Sequence, residues 1–573
     1  MKKFITPYIP QILLVVILIF ASIYADLNLP KLMSEIVDDG VLKGNMSIIY
    51  GLGTRMIILS IVSILLMIVA GHFSAKVAMA FSRDLREGVF SKVLNLNFEQ
   101  FEYFGAPTIL NRATDDISQI ERMSMAALRP LIRAPLMFVA SFIMAIQTNG
   151  TLSLIILISA PLLLIIVTSI ARASVPLFHK IRTLLDRVNL LFRERLTGIR
   201  VIRAFHREDY EEGRFQDNNS KLTQASIKVN NLMVYMLPTF NIVFNISMIA
   251  LLWFGARQIQ ASTMEVGDLM AYIQYVTQIM FSVMMFSMLF AMYPNAQASY
   301  KRIVEVLNTP IKDTQGSQNL PKDNVELEFD NVSFQYPGAE RPVLSNISFK
   351  VKAGEKLAII GGTGSGKSTI LKLINRFYDV TEGEIRLNGI PIENLSLRTL
   401  RENIGYVPQK SLLFSRSVKD NVNLGSRAQQ NDERTWDILS IAQAHDFIEG
   451  MEEKLDSLIA QSGKNLSGGQ KQRLSIARAI AKNPMVYLFD DSFSALDYTT
   501  DRNLRKQLVP HTKDAATIVV AQRVMTVTDS NEILVIDDGE IVSRGKHKEL
   551  LDNSPIYRDI AISQMGEKEV ANG

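Results

Sequence analysis

Hydrophobic and polar residues divide this chain into two contrasting halves. In the first half, six stretches are nearly free of charge and approach the roughly 20 apolar residues that cross ~30 Å of hydrocarbon. They occupy residues 9–29, 56–81, 134–146, 152–170, 233–255 and 269–293. The third is the weakest, because Arg129 and Arg133 stand at its start, where arginine can snorkel to the inner surface. The pattern predicts six membrane-spanning helices, with both ends of the chain on one side.

Cationic residues indicate which side that is. The connections after the first, third and fifth stretches carry few of them: Lys31, Lys43, Arg55 and Arg257. The long segments after the second and fourth stretches carry many more. Because positively charged segments stay inside, we expect the N-terminus, both long segments and everything after Tyr293 to be cytoplasmic. The N-terminal apolar run lacks a small-residue cleavage site, so we expect it to be a retained span.

The two long segments have helical rather than disordered patterns. Leu85, Val89 and Val93 recur at helical spacing, and 181–205 behaves similarly. The membrane helices are therefore expected to continue into the cytoplasm. Two short polar turns, near Arg112–Ile120 and near His206–Phe215, are expected to dock a cytoplasmic domain, although each also fits a solvated loop tip.

The fifth and sixth stretches carry candidate substrate contacts. Met280, Met284, Met288 and Met292 recur every four residues, a pattern that suits an adaptable apolar wall and equally suits packing between helices or against lipid. Asn241 and Asn245 share one face of the fifth stretch, where amides bond across helices or face a cavity. Neither pattern identifies a substrate.

The second half is typical of a soluble α/β domain. A polar run at 308–324, rich in Pro, Gly, Asp and Asn, predicts a linker between a membrane domain at 1–307 and a second domain at 325–573. Net charge is only +4, which argues against a nucleic-acid partner. The chain has no cysteine, which excludes disulfides and cysteine nucleophiles.

A glycine-rich loop is the strongest chemical signal. Residues 361–369 fit the pattern G-x-x-x-x-G-K-[ST], between an apolar strand at 356–360 and a helical run at 370–377. In this context backbone N–H groups and the helix N-terminus bind phosphate. Lys367 is expected to reach the β- and γ-phosphates, and the Ser368 hydroxyl is placed for Mg²⁺.

Further motifs follow in order. Gln409 ends a strand, residues 465–470 (NLSGGQ) precede a strong helix and form a second candidate anion site, and Asp490 ends an apolar strand. A carboxylate at that point is the second magnesium ligand that a P-loop site needs. The segment Ser494–Asp497 follows at once.

The full chain resembles ATP-binding-cassette (ABC) exporter half-transporters. The resemblance implies an α-helical six-span membrane domain of the type I exporter fold fused to an α/β P-loop nucleotide-binding domain. It implies ATP and Mg²⁺ as cofactors, with Ser368, Gln409 and Asp490 near the metal. The residues that it assigns to ATP are Tyr336 (against adenine), Gly361, Gly362, Thr363, Gly364, Ser365, Gly366, Lys367, Ser368, Thr369, Gln409, the signature residues Leu466, Ser467, Gly468, Gly469 and Gln470, and Asp497.

Two positions in the hydrolytic machinery depart from the family pattern. The family places a glutamate after the Asp490 position to polarise the attacking water, and a histidine in the A-H-R context. Here these positions hold Asp491, whose carboxylate falls about an ångström short, and Gln522, which cannot carry a positive charge. The stretch before the signature also lacks the usual acidic and arginine residues, with Gln461 and Ser462 in their place.

These departures indicate a site that binds ATP and hydrolyses it poorly. In this family that is typical of one half of a heterodimer, whose partner chain keeps the glutamate and histidine. We therefore expect export of hydrophobic or amphipathic compounds (drugs, lipids or peptides) across a bacterial cytoplasmic membrane. Two alternatives stay open at this point: a homodimeric exporter with slow ATPase, and a nucleotide-gated channel or regulatory subunit.

Overall fold

The computed structural model describes residues 2–311, 316, 318, 320–321, 325–426 and 431–567, apart from the side chains of 2, 171 and 287–291. The chain divides into two compact units. The first comprises Met1–Leu96 and Phe104–Pro310, and the second comprises Asn97–Tyr103 and Ile311–Gly573. Much of the predicted linker at 308–324 lies outside the described residues, so that boundary stays a prediction.

Long helices build the first unit. Those of eight residues or more are α1 (Ile9–Glu35), α2 (Met46–Leu94), α3 (Ile117–Leu128), α4 (Pro130–Thr148), α5 (Ser153–Ala204), α6 (Glu208–Val234), α7 (Met236–Gln260) and α8 (Val266–Asn308). Among the described residues, six helical segments are long and apolar enough to cross a membrane, which confirms the predicted six spans. At 1.5 Å per residue, α2 and α5 extend for ~70–80 Å, more than twice the hydrocarbon thickness. The long segments are therefore helical, as predicted.

Buried aromatic residues of α8 are part of the interior of the first unit. Tyr272 and Tyr275 are almost fully buried, and their hydroxyls donate to Ser153 Oγ (3.0 Å) and to the Leu27 carbonyl (3.3 Å). Met280 is fully buried beside them, so the packing interpretation holds at that methionine. The Met288 side chain lies outside the described part of the chain.

Arg133 does not depend on snorkelling, because it has a carboxylate partner. Its Nη2 donates to Asp26 Oδ2 of α1 at 2.8 Å, and Ser63 Oγ of α2 donates to the other oxygen of Asp26 at 2.5 Å. Both charged side chains are about one-fifth exposed. A partly buried ion pair, with its hydrogen bond from Ser63, thus joins three membrane helices.

The predicted polar turn at Arg112–Ile120 is wrong. Residues Arg112–Asp116 form a π-helical turn that continues into α3. Asp116 accepts hydrogen bonds from Ser299 and Arg302 of α8, and these distant partners keep the polar residues helical and buried. The second predicted turn is shorter than expected, since α6 begins at Glu208.

Two β-sheets form the second unit. The strands are β1 (Glu326–Phe334), β2 (Leu344–Lys352), β3 (Lys356–Gly361), β4 (Glu382–Leu387), β5 (Ile390–Pro391), β6 (Ile404–Val407), β7 (Val486–Asp490), β8 (Ala516–Val520), β9 (Glu532–Asp537) and β10 (Glu540–Gly545). The first sheet is antiparallel with order β2-β1-β4-β5, and the second has order β10-β9-β3-β8-β7-β6. Its longer helices are α9 (Lys367–Ile374), α10 (Asp432–Ile441), α11 (Gly468–Lys482), α12 (Tyr498–Thr512) and α13 (Pro555–Met565).

The register of the second sheet brings the motifs together. Strands β3, β8 and β7 are parallel neighbours, and Val520 pairs with both Ile359 and Asp490. Every residue of β7 and β8 is buried, which fits the continuous apolar runs of a parallel sheet covered on both faces. The glycine loop, Asp490 and Gln522 therefore emerge at one edge of the sheet.

Candidate functional site

The glycine loop has a backbone that only glycine allows at two points. Gly366 has φ of +97°, and a Cβ there would lie 2.6 Å from Leu344 Cδ2. At Gly361 a Cβ would lie 2.0 Å from the Ile536 carbonyl oxygen. These two positions let the loop curl tightly between β3 and α9, whose first residue is Lys367.

The Lys367 ammonium lies against the loop that carries it. Its Nζ donates to the carbonyls of Gly361 (2.9 Å) and Gly362 (2.5 Å) and to Ser365 Oγ (3.3 Å). Burial lowers the pKa of Lys367, while the nearby carboxylates of Asp490 and Asp491 oppose that shift. The cation is thus held at the loop, where a phosphate would meet it.

Asp490 is a buried carboxylate between two hydroxyl donors. Ser368 Oγ donates to its Oδ1 at 2.7 Å, and the Tyr406 hydroxyl donates to its Oδ2 at 3.4 Å. Burial raises the pKa of Asp490 despite these hydrogen bonds. A carboxylate beside a hydroxyl is the hard oxygen donor set that Mg²⁺ prefers, and phosphate oxygens and water usually complete such sites. The residues present fit that ion.

Asp491 and Gln409 face each other beside this carboxylate. Gln409 Nε2 donates to Asp491 Oδ2 at 3.3 Å. Asp491 has φ of +46°, and its backbone N–H donates to the Val520 carbonyl at 2.9 Å. The Asp491 backbone is thus fixed, and its short side chain is held by the hydrogen bond from the Gln409 amide.

These groups share one cavity of about 350 Å³. Its lining includes most of the predicted residues, namely Tyr336, Thr363, Gly364, Gly366, Lys367, Ser368, Thr369, Gln409, Asp490, Asp491 and Gln522. Gly361, Gly362 and Ser365 lie outside the lining and act on it by holding Lys367. The structure therefore assembles one site from five separate motifs.

Tyr336 lies near the start of α9 and lines the cavity. Its hydroxyl shares a hydrogen bond of 3.1 Å with Thr369 Oγ1, and Lys372 Nζ lies 5.5 Å from the centre of its ring. The ring packs edge-on against Tyr378, with centroids 5.1 Å apart. These contacts fix an aromatic face at the cavity, as an adenine contact requires.

The signature residues form a separate helix start outside this cavity. Ser467 and Gln470 make a capping box at the beginning of α11, in which each side chain accepts from the other's backbone N–H. Leu466 is buried and anchors the turn, whereas a Cβ on Gly468 would meet nothing within 4 Å. Asp497 caps α12 by accepting from Thr500 N at 2.9 Å. Ser467, Gly468 and Asp497 are therefore exposed outside the cavity.

Some residues of the site escaped the sequence analysis. Tyr406, Lys372, Val343 and Val520 contact the site residues or line the cavity, and Gln564 bonds to the Gln522 backbone. None belongs to a short motif. A polar residue inside a buried strand, as Tyr406 is in β6, was the one available signal.

Comparisons with known proteins decide the family. The family described as the ABC transporter transmembrane region matches residues 12–283, and the family described as ABC transporter matches residues 344–494. A Mycobacterium tuberculosis protein described as an uncharacterized ABC transporter ATP-binding protein is 38% identical over 569 residues, covering 98% of this chain and 97% of the relative. This chain belongs to the ABC transporters.

Within the ABC transporters, it is a half-transporter of the exporter type with an ABC-type ATPase domain. It is 30% identical to an ATP-dependent lipid A-core flippase of Pseudomonas aeruginosa, over 87% of this chain and 82% of that protein. A solved bacterial Atm1-family ABC exporter with ATP bound shares the fold, with a TM-score of 0.83, 24% identity and coverage of 99% and 100%. The predicted fold class is confirmed.

Proposed function

We propose that this chain is the half of a heterodimeric exporter that carries the weakly hydrolytic ATP site. The observation that supports this most is that Asp491 and Gln522 line the same cavity as Lys367, Ser368 and Asp490. Binding and hydrolysis make different demands. Triphosphate binding uses the loop, Lys367 and Ser368, whereas hydrolysis also needs a base placed within hydrogen-bond reach of water.

Each residue of the site has a distinct role in this proposal. Lys367 neutralises the β- and γ-phosphates, and Tyr336 stacks on adenine. Gln522, which lines the same cavity, donates one hydrogen bond to the γ-phosphate. Ser368 and Asp490 hold Mg²⁺, which when bound would neutralise phosphate charge, and Gln409 lies beside them. Asp491 remains hydrogen-bonded to Gln409 and falls short of the water, so ATP persists at this site.

The signature belongs to the other site of the pair. In a head-to-tail arrangement, Ser467 and Gly468 contact ATP held by the partner chain. Donors aimed at developing phosphate charge are commonly worth 10²–10³ in rate. The exposed capping box with open space at Gly468 fits such a contact.

We infer that the cargo is hydrophobic or amphipathic, with lipids the leading class. The similarity to a lipid A-core flippase supports a lipid-like cargo. A cavity of about 200 Å³ in the first unit is lined almost wholly by apolar groups, among them Pro135, Phe138, Leu164 and Phe286. The charge distribution favours a cytoplasmic-membrane protein with both ends in the cytoplasm.

The segment Asn97–Tyr103 is the candidate route from ATP to the membrane helices. It belongs to the second unit, where Phe98 stacks on Phe377 with centroids 5.1 Å apart and Tyr378 donates a hydrogen bond to Glu102. Tyr378 also packs on Tyr336. Movement at the adenine contact would therefore reach this segment through two aromatic residues.

Two substitutions in this chain test the proposal. The chain is co-expressed with a half-transporter that has the glutamate and histidine, and ATPase and lipid transport are measured in proteoliposomes. Asp491→Asn should leave most of the turnover, whereas Ser467→Arg should abolish it, because the signature serves the hydrolytic site. Equal loss with both substitutions would contradict the proposal and favour a homodimer, and ion flux without cargo would favour a channel.

A further inference from the structure

The C-terminal helix α13 is bonded to the loop that carries Gln522. Near its end, Gln564 Nε2 donates to the Gln522 carbonyl at 2.7 Å, and Gln564 Oε1 accepts from the Val524 N–H at 2.8 Å. One side-chain amide is thus hydrogen-bonded to the backbone on both sides of Arg523. The Gln522 side chain lines the ATP cavity from this same loop.

Packing and capping hold helix α13, and with it Gln564, in a fixed position. Tyr557 and Ala561 are fully buried, and the Tyr557 hydroxyl lies 2.7 Å from His547 Nδ1. Ser554 caps the helix by accepting from Tyr557 N at 3.3 Å. Gln564 itself is exposed, so its two hydrogen bonds contribute more to the position of the loop than to the stability of the domain.

Because Gln522 is uncharged, its contact with phosphate depends on where its loop lies. An amide has no long-range attraction for phosphate, and its hydrogen bond weakens steeply with distance and angle. Before the loop, the last ladder bond runs from Ala521 N to the Ile359 carbonyl at 3.1 Å. Beyond that bond, the Gln564 amide fixes where the Gln522 backbone lies.

We propose that Gln564 is a positioning residue that sets the preference of this site for ATP over ADP. It rests on the proposed function, in which Gln522 contacts the γ-phosphate. Because ADP lacks that phosphate, loss of the Gln564 bonds should weaken ATP and leave ADP unaffected. Helix α13 thereby links the C-terminal end of the chain to nucleotide choice.

The test measures the affinity of the purified full chain in nanodiscs for Mg–ATPγS and for Mg–ADP by calorimetry. Gln564→Leu should weaken ATPγS roughly three- to tenfold, the value of one to two exposed hydrogen bonds, with ADP within twofold. Ser563→Ala, on the same helix, is the matched control. Gln564→Glu keeps the acceptor for Val524 N and loses the donor to Gln522, so it should show the same selective loss.

Parallel loss of ATPγS and ADP affinity would overturn the inference, because it would show a merely structural role. Unchanged affinity for both nucleotides would overturn it as well. The Gln522→Ala variant distinguishes failure of the positioning role of Gln564 from failure of the proposed γ-phosphate contact of Gln522. If Gln522→Ala removes the ATPγS preference and Gln564→Leu does not, only the positioning role fails; if Gln522→Ala has no effect, the γ-phosphate contact in the proposed function fails too.

Discussion

At the scale of single residues, the site combines groups that function needs with positions that cost stability. Asp490 is the clearest example, because burial raises the pKa of its carboxyl group. A folded-state pKa above the unfolded value means that folding disfavours the charged form. That penalty is absent below the unfolded pKa and grows as the pH rises through the folded pKa. Ser368 and Tyr406 offset only part of it.

Asp490→Asn should therefore raise the melting temperature of the nucleotide-free chain near neutral pH while abolishing magnesium-dependent ATP binding. The amide is isosteric and removes a buried charge. Thermal unfolding measured at falling pH provides the check, because the advantage of asparagine should shrink as Asp490 becomes protonated. A variant less stable than the parent at neutral pH would contradict this assignment.

The residues of the site were easier to predict from the sequence than the residues that hold them in place. Residues such as Lys367 and Asp490 could be assigned because their chemistry depends on short spacings after a strand. Tyr406 and Gln564 could not, since their partners lie 84 and 42 residues away along the chain. Only the sheet register and the docking of α13 bring them to the cavity.

At the scale of elements, the two glycines of the signature play different structural parts. A Cβ on Gly469 would lie 3.1 Å from the Ala495 carbonyl oxygen, whereas a Cβ on Gly468 would meet nothing within 4 Å. Of the two glycines, only Gly469 therefore packs the start of α11 against the segment Ser494–Asp497. The exposed glycine, Gly468, and the packing glycine, Gly469, are thus adjacent.

Gly469→Ala should be less stable than Gly468→Ala by roughly 1 kcal/mol, because only the first crowds a neighbouring backbone. Both variants gain similarly in helix propensity, so each is the other's matched control. Denaturant unfolding of the full chain in detergent measures the difference. Equal stability of the two variants would show that the signature turn is not packed as described.

The ion pair between Asp26 and Arg133 yields a prediction for the membrane helices. Removing one partner leaves a charge unpaired in a low-dielectric interior, which typically costs about 3–5 kcal/mol. Asp26→Leu or Arg133→Met alone should each lower the melting temperature sharply, and the double variant should recover much of the loss. A double variant whose loss equals the sum of the single losses would show that the pair is not coupled.

Elements were predicted well where their periodicity is long and poorly where polar residues find distant partners. The apolar stretches predicted the six spans, and the helical patterns after the second and fourth stretches predicted that α2 and α5 continue beyond the membrane. The run Arg112–Ile120 looked like a turn because it is polar, yet Asp116 binds Arg302, 186 residues away. Sequence pattern alone does not reveal such a partner.

At the scale of the whole molecule, one chain supplies an ATP cavity and a signature surface that do not meet within it. The residues Leu466–Gln470 lie outside the cavity lining, and under the proposed function they serve the ATP site of a second chain. In that proposal, Asp491 and Gln522 make the two ATP sites of the assembly unequal. In the same proposal, this chain's own site holds ATP and barely hydrolyses it.

The most direct measurement compares ATP binding with ATP turnover for the purified full chain alone in lipid nanodiscs. The account predicts stoichiometric Mg–ATP binding that Lys367→Ala abolishes, with turnover well below the ~1 s⁻¹ at the lower end of typical enzymes. A turnover of about 1 s⁻¹ or more that is lost in Asp491→Asn would contradict the account, because it would show that Asp491 is a competent base and that the chain hydrolyses ATP without a partner.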